Sequence, residues 1–176
     1  MLFAWPYFIF YPTEIINMRH CLFPGTFDPV TFGHIDIVQR ALPLFDKFYI
    51  GIGTNASKQP MFSAELRKSW FDEIFQKNPN VEVVIYEGLT IDCCKKHEVN
   101  FILRGIRYVN DFEYEKAIAD MNRSLDSEIE TFFLTCLPQY TSVASTLVRD
   151  VIRNGGNVSQ FVPPVVQASI MSVAAR

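Results

Sequence analysis

PGTFDPVTFGH, residues 24–34, separates a strand-like run, RHCLF, from a helix-like run, IDIVQRALPLF. Its two glycines let the backbone approach a ligand closely, and its two prolines stiffen the turn. Thr31 stands where it can cap the helix, so the free amides around His34 lie at the positive end of the helix dipole. The stretch therefore predicts a strand, a ligand-binding loop and a helix whose first turn binds an anion such as a triphosphate.

The same alternation of strand and helix continues along the chain. Short β-branched or aromatic runs predict strands at 19–23, 47–53, 81–86, 101–103 and 130–136. Amphipathic runs predict helices at 34–45, 64–77, 89–97, 112–125 and 146–154, with a last helix after Pro163-Pro164.

Strict alternation implies right-handed crossovers and a mostly parallel five-stranded sheet with helices on both faces. The expected fold is α/β, a Rossmann-like doubly wound domain. In such sheets ligands bind beyond the carboxyl ends of the strands at the switch point, which is where the loop of residues 24–34 falls. We expect one domain over residues 18–176, because no repeat or linker divides the chain.

Composition limits the possible functions. The chain has 176 residues, is 49% hydrophobic and 20% charged, and carries a net charge of −3. That charge offers no global basic surface for a nucleic-acid backbone or an anionic membrane. The four cysteines lack the spacing of a zinc site and predict reduced thiols in a cytoplasmic protein, with Cys21 and Cys136 as small core residues.

Residues 1–17 are apolar and aromatic but lack a basic region, contain two prolines and are too short to span a bilayer. The alternatives are an anchor or signal and a translated upstream start. Because Met18 directly precedes the first predicted strand, we expect an N-terminal extension outside the core.

Several separated segments together resemble one enzyme family. TFDPVTFGH matches the TxGH form of the nucleotidyltransferase signature, and SKQPMF, ILRGIRYVNDFEYE, MNR and TSVASTLVRDVI follow in order. By these motifs the sequence resembles the bacterial phosphopantetheine adenylyltransferases from about residue 18 to near its end.

The resemblance implies adenylyl transfer from ATP to 4′-phosphopantetheine, giving dephospho-coenzyme A and pyrophosphate. It implies Mg²⁺ bound with ATP and no metal ligands from the protein. It also implies a homo-oligomer, a hexamer, and feedback inhibition by coenzyme A. Neither a nucleic-acid partner nor a membrane is expected.

The resemblance also assigns roles to residues. It implies that His34 and Lys58 stabilise the transition state, and that Thr26 and Lys58 with Thr90 and Arg104 bind phosphopantetheine. The ATP contacts that it implies are Thr26, Phe27, His34, Gly105, Ile106, Arg107, Glu115, Tyr140, Thr141, Ser142, Val143, Ala144, Ser145 and Thr146.

Some of these residues have independent physical support. Arg104 and Arg107 follow a strand end, where guanidinium groups bind phosphates, although a surface salt bridge to Asp111 is the simpler alternative. Ser145 and Thr146 precede a helix and can hold the β- and γ-phosphates or merely cap it.

Three positions depart from the family pattern: Ala144 stands where serine is common, Tyr140 where tryptophan often occurs, and Thr90 where apolar residues are usual. Two other functions stay open. One is another transferase of the superfamily, such as a nicotinamide-nucleotide adenylyltransferase or a glycerol-phosphate cytidylyltransferase. The other is a catalytically silent nucleotide-binding module, suggested by Ala144.

Overall fold

The computed structural model describes residues 18–54 and 59–174. The expected N-terminal extension, residues 1–17, and the predicted catalytic Lys58 therefore lie outside the described residues. Within the described ranges, no helix is both long enough and apolar enough to cross a membrane.

The elements alternate as the sequence predicts. The strands are β1 (His20–Gly25), β2 (Lys47–Thr54), β3 (Val81–Glu87), β4 (Phe101–Ile106) and β5 (Glu130–Thr135). The α-helices are α1 (Phe32–Ala41), α2 (Ala64–Ile74), α3 (Thr90–Lys96), α4 (Val109–Leu125), α5 (Ser145–Arg153) and α6 (Pro164–Ala174). Short 3₁₀ turns occupy Leu42–Leu44 and Pro138–Tyr140.

The five strands form one sheet in the order β3-β2-β1-β4-β5, and every pair is parallel. The order reverses at β1, so the crevice beyond its carboxyl end is the switch point of the fold. The predicted doubly wound α/β fold is confirmed, and the loop of residues 24–34 leaves the sheet at this switch point.

The core lies on the central strands. Leu22, Phe48, Ile50 and Ile52 are fully buried, as expected for parallel strands covered on both faces. Trp70 and Phe71 of α2 and its C-cap residue, Phe75, are also buried and belong to the core. The Trp70 indole donates a 2.9 Å hydrogen bond to Ser169 Oγ, which docks α6 against α2.

Most boundary differences are small and have local causes. The first helix begins at Phe32 rather than His34, because Thr31 with its extended backbone is the N-cap. Strand β4 continues to Ile106 rather than ending at Leu103, because Gly105 and Ile106 still pair with Leu134 and Thr135. Helix α4 begins at Val109, three residues before the predicted start.

Candidate active site

A cleft of about 290 Å³ opens at the carboxyl ends of β1 and β4. The loop of residues 24–34 forms one wall, and the segment before α5 forms another. Of the residues predicted to bind substrates, the cleft is lined by Thr26, Phe27, His34, Arg104, Gly105, Arg107, Tyr140, Val143, Ala144, Ser145 and Thr146. Ile106, Thr141 and Ser142 do not line this cleft, and Glu115 and Thr90 line a neighbouring recess.

The orientation of His34 is set by the turn that starts α1. The backbone N–H of Thr31 donates a hydrogen bond to His34 Nδ1 at 3.1 Å. Because that donor is a backbone amide, Nδ1 must accept, and the neutral ring carries its hydrogen on Nε2. The local structure therefore makes His34 an N–H donor within the cleft.

The surroundings of His34 favour the neutral ring. Phe27 lies edge-on to the imidazole with 5.0 Å between ring centroids, and Arg107 adds a positive charge nearby. Burial, followed by the charge of Arg107, lowers the pKa of His34 from 6.5 to about 4. Near neutral pH the ring can donate a hydrogen bond to an anion without itself carrying a charge.

Two helix N-termini meet in the cleft. Gly33 lies in the first turn of α1, and a Cβ built on it would lie 3.6 Å from Tyr140 Cβ and 3.9 Å from the Val143 carbonyl oxygen. Helix α5 starts directly after Ala144, its N-cap residue. At the start of α1 the N–H groups of Phe32 and His34 already donate to the carbonyls of Phe161 and Thr31, so the amide of Gly33 and the first amides of α5 are the backbone donors available to an anion.

The hydroxyl of Ser145 has a structural partner. Its Oγ donates to the carbonyl of Pro29 at 2.9 Å and so joins α5 to the loop of residues 24–34. While this bond is made, the Ser145 hydroxyl cannot donate to a phosphate. The Thr146 hydroxyl and the backbone amides at the start of α5 are the donors that remain there, so Ala144 removes only one side-chain group from the cleft.

Both predicted arginines form ion pairs. Arg107 Nε lies 3.1 Å from Asp111 Oδ2, so the surface salt bridge considered from the sequence is present on this arginine. Arg104 donates to both carboxylate oxygens of Glu115, at 2.6 and 2.7 Å, and to the carbonyl of Pro24. Glu115 therefore faces Arg104 in the second recess rather than the main cleft.

The second recess, of about 370 Å³, shares Thr26, Arg104 and the Pro24-Gly25 backbone with the main cleft. It also contains Thr90, and the polar residues that the sequence analysis missed there include Tyr86 and Asn122. Asn122 belongs to the MNR segment, which indicated the family but was assigned no contact.

Thr90 is paired inside this recess. Tyr86 Oη and Thr90 Oγ1 lie 3.1 Å apart and share a hydrogen bond. Burial is the main cause that raises the pKa of Tyr86, so its hydroxyl stays protonated. A pair of hydroxyl groups therefore occupies the part of this recess where the family usually has an apolar residue at position 90.

One further correction concerns Cys136. Cys136 follows the last strand and lines the cleft rather than packing in the core, whereas Cys21 is fully buried as predicted.

Two charged residues, Asp28 and Arg67, are buried, with 5% and 3% of their surface exposed. No sequence signal marked Arg67, because one charged residue on an amphipathic helix usually faces solvent.

Comparisons with known proteins agree with this geometry. Residues 22–151 match the family described as Cytidylyltransferase-like. A phosphopantetheine adenylyltransferase of Flavobacterium psychrophilum is 55% identical over 85% of this chain and 99% of its own length. Another, from Bacteroides thetaiotaomicron, is 47% identical over 83% of this chain and 96% of its own.

The fold also matches a solved structure. A protein of Vibrio parahaemolyticus, provisionally named a nicotinate-nucleotide adenylyltransferase, aligns with a TM-score of 0.66 over 88% of this chain and 93% of its own. At 15% identity this likeness shows the fold alone.

A doubly wound parallel sheet, with a cleft containing His34, Arg104 and Arg107 at the switch point and a match to Cytidylyltransferase-like proteins, defines a nucleotidyltransferase. With relatives at 42–55% identity over most of its length, the chain belongs to the phosphopantetheine adenylyltransferase family.

Proposed function

We infer that this chain transfers the adenylyl group of ATP to 4′-phosphopantetheine, giving dephospho-coenzyme A and pyrophosphate. The observation that carries this inference is one cleft containing His34, Arg107 and two helix N-termini. It continues through Thr26 and Arg104 into a second recess of similar size. The main cleft suits a nucleoside triphosphate, and the second recess suits an acceptor that carries a phosphate.

The reaction exchanges one phosphoanhydride bond for another. An oxygen of the acceptor phosphate attacks the α-phosphorus of ATP, a new P–O bond forms, and the bond to the β-phosphate oxygen breaks. Such a transfer depends on alignment of two anions and on neutralisation of charge, and it needs no covalent enzyme intermediate. We assign His34 Nε2–H as a donor to the α-phosphate and the amides at the start of α5 as donors to the departing pyrophosphate.

Lys58 and Mg²⁺ complete the proposed charge balance. Lys58 would supply a second cation at the α-phosphate, as the matching family position implies. The described residues contain no cluster of three acidic, histidine or cysteine side chains that fits a metal ion. We propose, as the resemblance implies, that Mg²⁺ binds together with ATP, where it would offset the charge of the phosphates.

The acceptor is assigned to the second recess. Arg104 is fixed there by Glu115 and the Pro24 carbonyl, with its fork-shaped guanidinium beside Thr26. A guanidinium group is suited to a phosphate, so we place the phosphate of phosphopantetheine between Arg104 and Thr26. The uncharged pantetheine arm would then run along Tyr86 and Thr90, whose hydroxyls can bind its amide groups.

We also propose that the chain forms a homo-oligomer, with a hexamer as the expected state. Helix α4 has no buried residue in the described part of the chain. It exposes Val109, Tyr114, Met121 and Leu125, at 74%, 69%, 68% and 51% of their surface. A 17-residue helix with this much apolar surface is suited to burial against another subunit.

Feedback inhibition and location are further proposals. Coenzyme A contains the product dephospho-coenzyme A with one added phosphate, so it would occupy both recesses and compete with the substrates. We propose a cytoplasmic location, which is consistent with four unpaired cysteines, three of them buried.

The experiment that tests the function is product analysis with paired donors and acceptors. The protein is incubated with ATP or CTP and with 4′-phosphopantetheine, nicotinamide mononucleotide or glycerol 3-phosphate. We expect dephospho-coenzyme A from ATP and 4′-phosphopantetheine alone. Activity on another acceptor, without dephospho-coenzyme A, would instead indicate one of the related transferases.

A further inference from the structure

The loop of residues 24–34 contains a strained residue next to the reaction site. Phe27 has φ of 51°, a left-handed conformation that a bulky non-glycine residue adopts only when its surroundings enforce it. Its ring packs against Phe71 and His34, with centroid distances of 4.9 and 5.0 Å. The conformation of Phe27 therefore affects both Thr26 and the imidazole that faces the nucleotide.

Buried charged side chains hold the residues on both sides of Phe27. On one side, Arg67 Nη1 donates to the carbonyl of Thr26. On the other, the carboxylate of Asp28 accepts the backbone N–H groups of Met61 at 2.9 Å and Phe62 at 3.0 Å. The bend is thus fixed from α2 and from the segment that precedes α2.

The two interactions are reciprocal. Arg67 Nε donates to the carbonyls of Phe62 and Ser63 at 3.0 and 3.2 Å. Asp28 binds the amide of the same Phe62. The loop and residues 61–63 are therefore joined in both directions, by a carboxylate from one segment and a guanidinium from helix α2.

A third charged residue links this network to α5. Arg149 donates to the carbonyl of Asp28, and its Nη1 lies 3.7 Å from the Asp28 carboxylate. Its other terminal nitrogen reaches Thr146 Oγ1 at 3.4 Å. Asp28 thus connects the loop of residues 24–34 with residues 61–62 and with α5.

Stability alone does not account for such a network. Removing charged groups from water is costly, and well-packed apolar residues often stabilise a fold as well as a buried ion pair does. The hydrogen bonds of Asp28 and Arg67 are directional, so they hold the backbone on both sides of Phe27 and keep Phe27 in the left-handed conformation.

We propose that Asp28 and Arg67 are positioning residues for adenylyl transfer, which hold Thr26 and Phe27 in place beside His34 through hydrogen bonds to backbone groups. This proposal rests on the adenylyl-transfer function inferred above. It assigns Asp28 and Arg67 an effect on the rate of the chemical step rather than on the affinity for ATP. A displacement of reacting groups by about 1 Å can lower a rate about a hundredfold.

The test uses Asp28→Asn, Arg67→Lys and Arg67→Met in the full chain, with Lys68→Met as the matched control. Asp28→Asn keeps one acceptor oxygen, and Arg67→Lys keeps the charge but loses the planar fork that reaches several carbonyls. Lys68 is the next residue of α2 and pairs with Asp72 at the surface. Calorimetric titration with ATP gives its Kd and the number of intact sites, so that kcat is expressed per ATP-binding site.

We expect kcat per site to fall at least about tenfold in Asp28→Asn and Arg67→Lys, and further in Arg67→Met, with Kd for ATP within about threefold of the parent. Lys68→Met should match the parent. Parent-like kcat per site in Asp28→Asn and Arg67→Lys, even with a lowered Tm, would overturn the proposal and leave these residues a purely structural role. Loss of ATP sites in all three variants would overturn it too, because the network would then maintain the fold rather than the alignment. Failure of the parent chain to make dephospho-coenzyme A would instead contradict the function itself.

Discussion

The backbone N–H of Thr31 is hydrogen-bonded to Nδ1 of His34 at 3.1 Å, so one helix cap determines which imidazole nitrogen carries a hydrogen. The sequence places a threonine three residues before a histidine at the start of a helix. The structure shows that this spacing produces a neutral donor, with Nε2–H as its only N–H group. His34 is thereby suited to hydrogen bonding to a phosphate rather than to proton transfer.

A titration of His34 in the substrate-free protein tests this assignment. Burial and the charge of Arg107 lower the folded-state pKa to about 4, below the ordinary value of 6.5. We expect the His34 ring signals in an NMR titration to stay those of the neutral imidazole down to about pH 5. The spectrum of His34→Ala identifies the signals by their absence, and a midpoint at pH 6 or above would contradict the assignment.

The same shift has a consequence for stability. The folded-state pKa lies below the unfolded value, so the unfolded chain binds the proton first as the pH falls. His34 should therefore lower the free energy of unfolding progressively from about pH 6.5 to pH 4. In His34→Asn, urea unfolding across this range should show a weaker dependence on pH than in the parent.

Removal of the imidazole should affect turnover far more than folding. His34→Ala should lower kcat by about a hundredfold or more, because it removes a donor used mainly in the transition state. Loss of the cap contact should cost about 1 kcal/mol of stability. His97→Ala is the control, since that ring packs on Tyr49 and does not line the cleft. Near-normal turnover of His34→Ala would refute the role of His34.

Substitution of Arg104 and substitution of Arg107 should each raise KM for a different substrate. Arg104→Ala should raise KM for 4′-phosphopantetheine by about tenfold or more, because a charge-assisted bond to its phosphate is lost. Arg107→Ala should act mainly on KM for ATP. Steady-state kinetics with each substrate varied in turn provides the measurement. Unchanged acceptor KM in Arg104→Ala would contradict the placement of the acceptor phosphate.

The apolar surface of α4 predicts self-association. Sedimentation should show the parent as an oligomer, and Met121→Glu and Val109→Glu should shift it towards smaller species by placing charge on the exposed α4 surface. Met171→Glu, on the similarly exposed α6, is the control. A monomeric parent would rule out the oligomer, and assembly unaffected by both α4 substitutions would exclude α4 as the contact surface.

The fold could be predicted because its signals are local. Alternating β and α periodicity predicts the parallel sheet, and the glycine- and proline-rich stretch 24–34 marks the switch point. Arg104 and Arg107 could be placed beside His34 because parallel strands end at a common edge of the sheet.

The partners of the charged residues could not be predicted in the same way. Arg104 binds Glu115 from the following helix, and Arg67 binds the carbonyl of Thr26, 41 residues away. Periodicity assigns a lone arginine on a helix to solvent, whereas long-range packing buries Arg67. The hydroxyl pair of Tyr86 and Thr90 was missed because it depends on the close approach of β3 and the start of α3.

Pyrophosphate release with ATP and 4′-phosphopantetheine is the most direct test of the central claim that the cleft at His34 aligns ATP for attack by a second phosphate. The full chain is compared with a chain that starts at Met18, and ATP binding is measured beside turnover. We predict equal amounts of pyrophosphate and dephospho-coenzyme A from both chains. ATP binding by both chains with release of neither product would contradict the account and indicate a silent nucleotide-binding module.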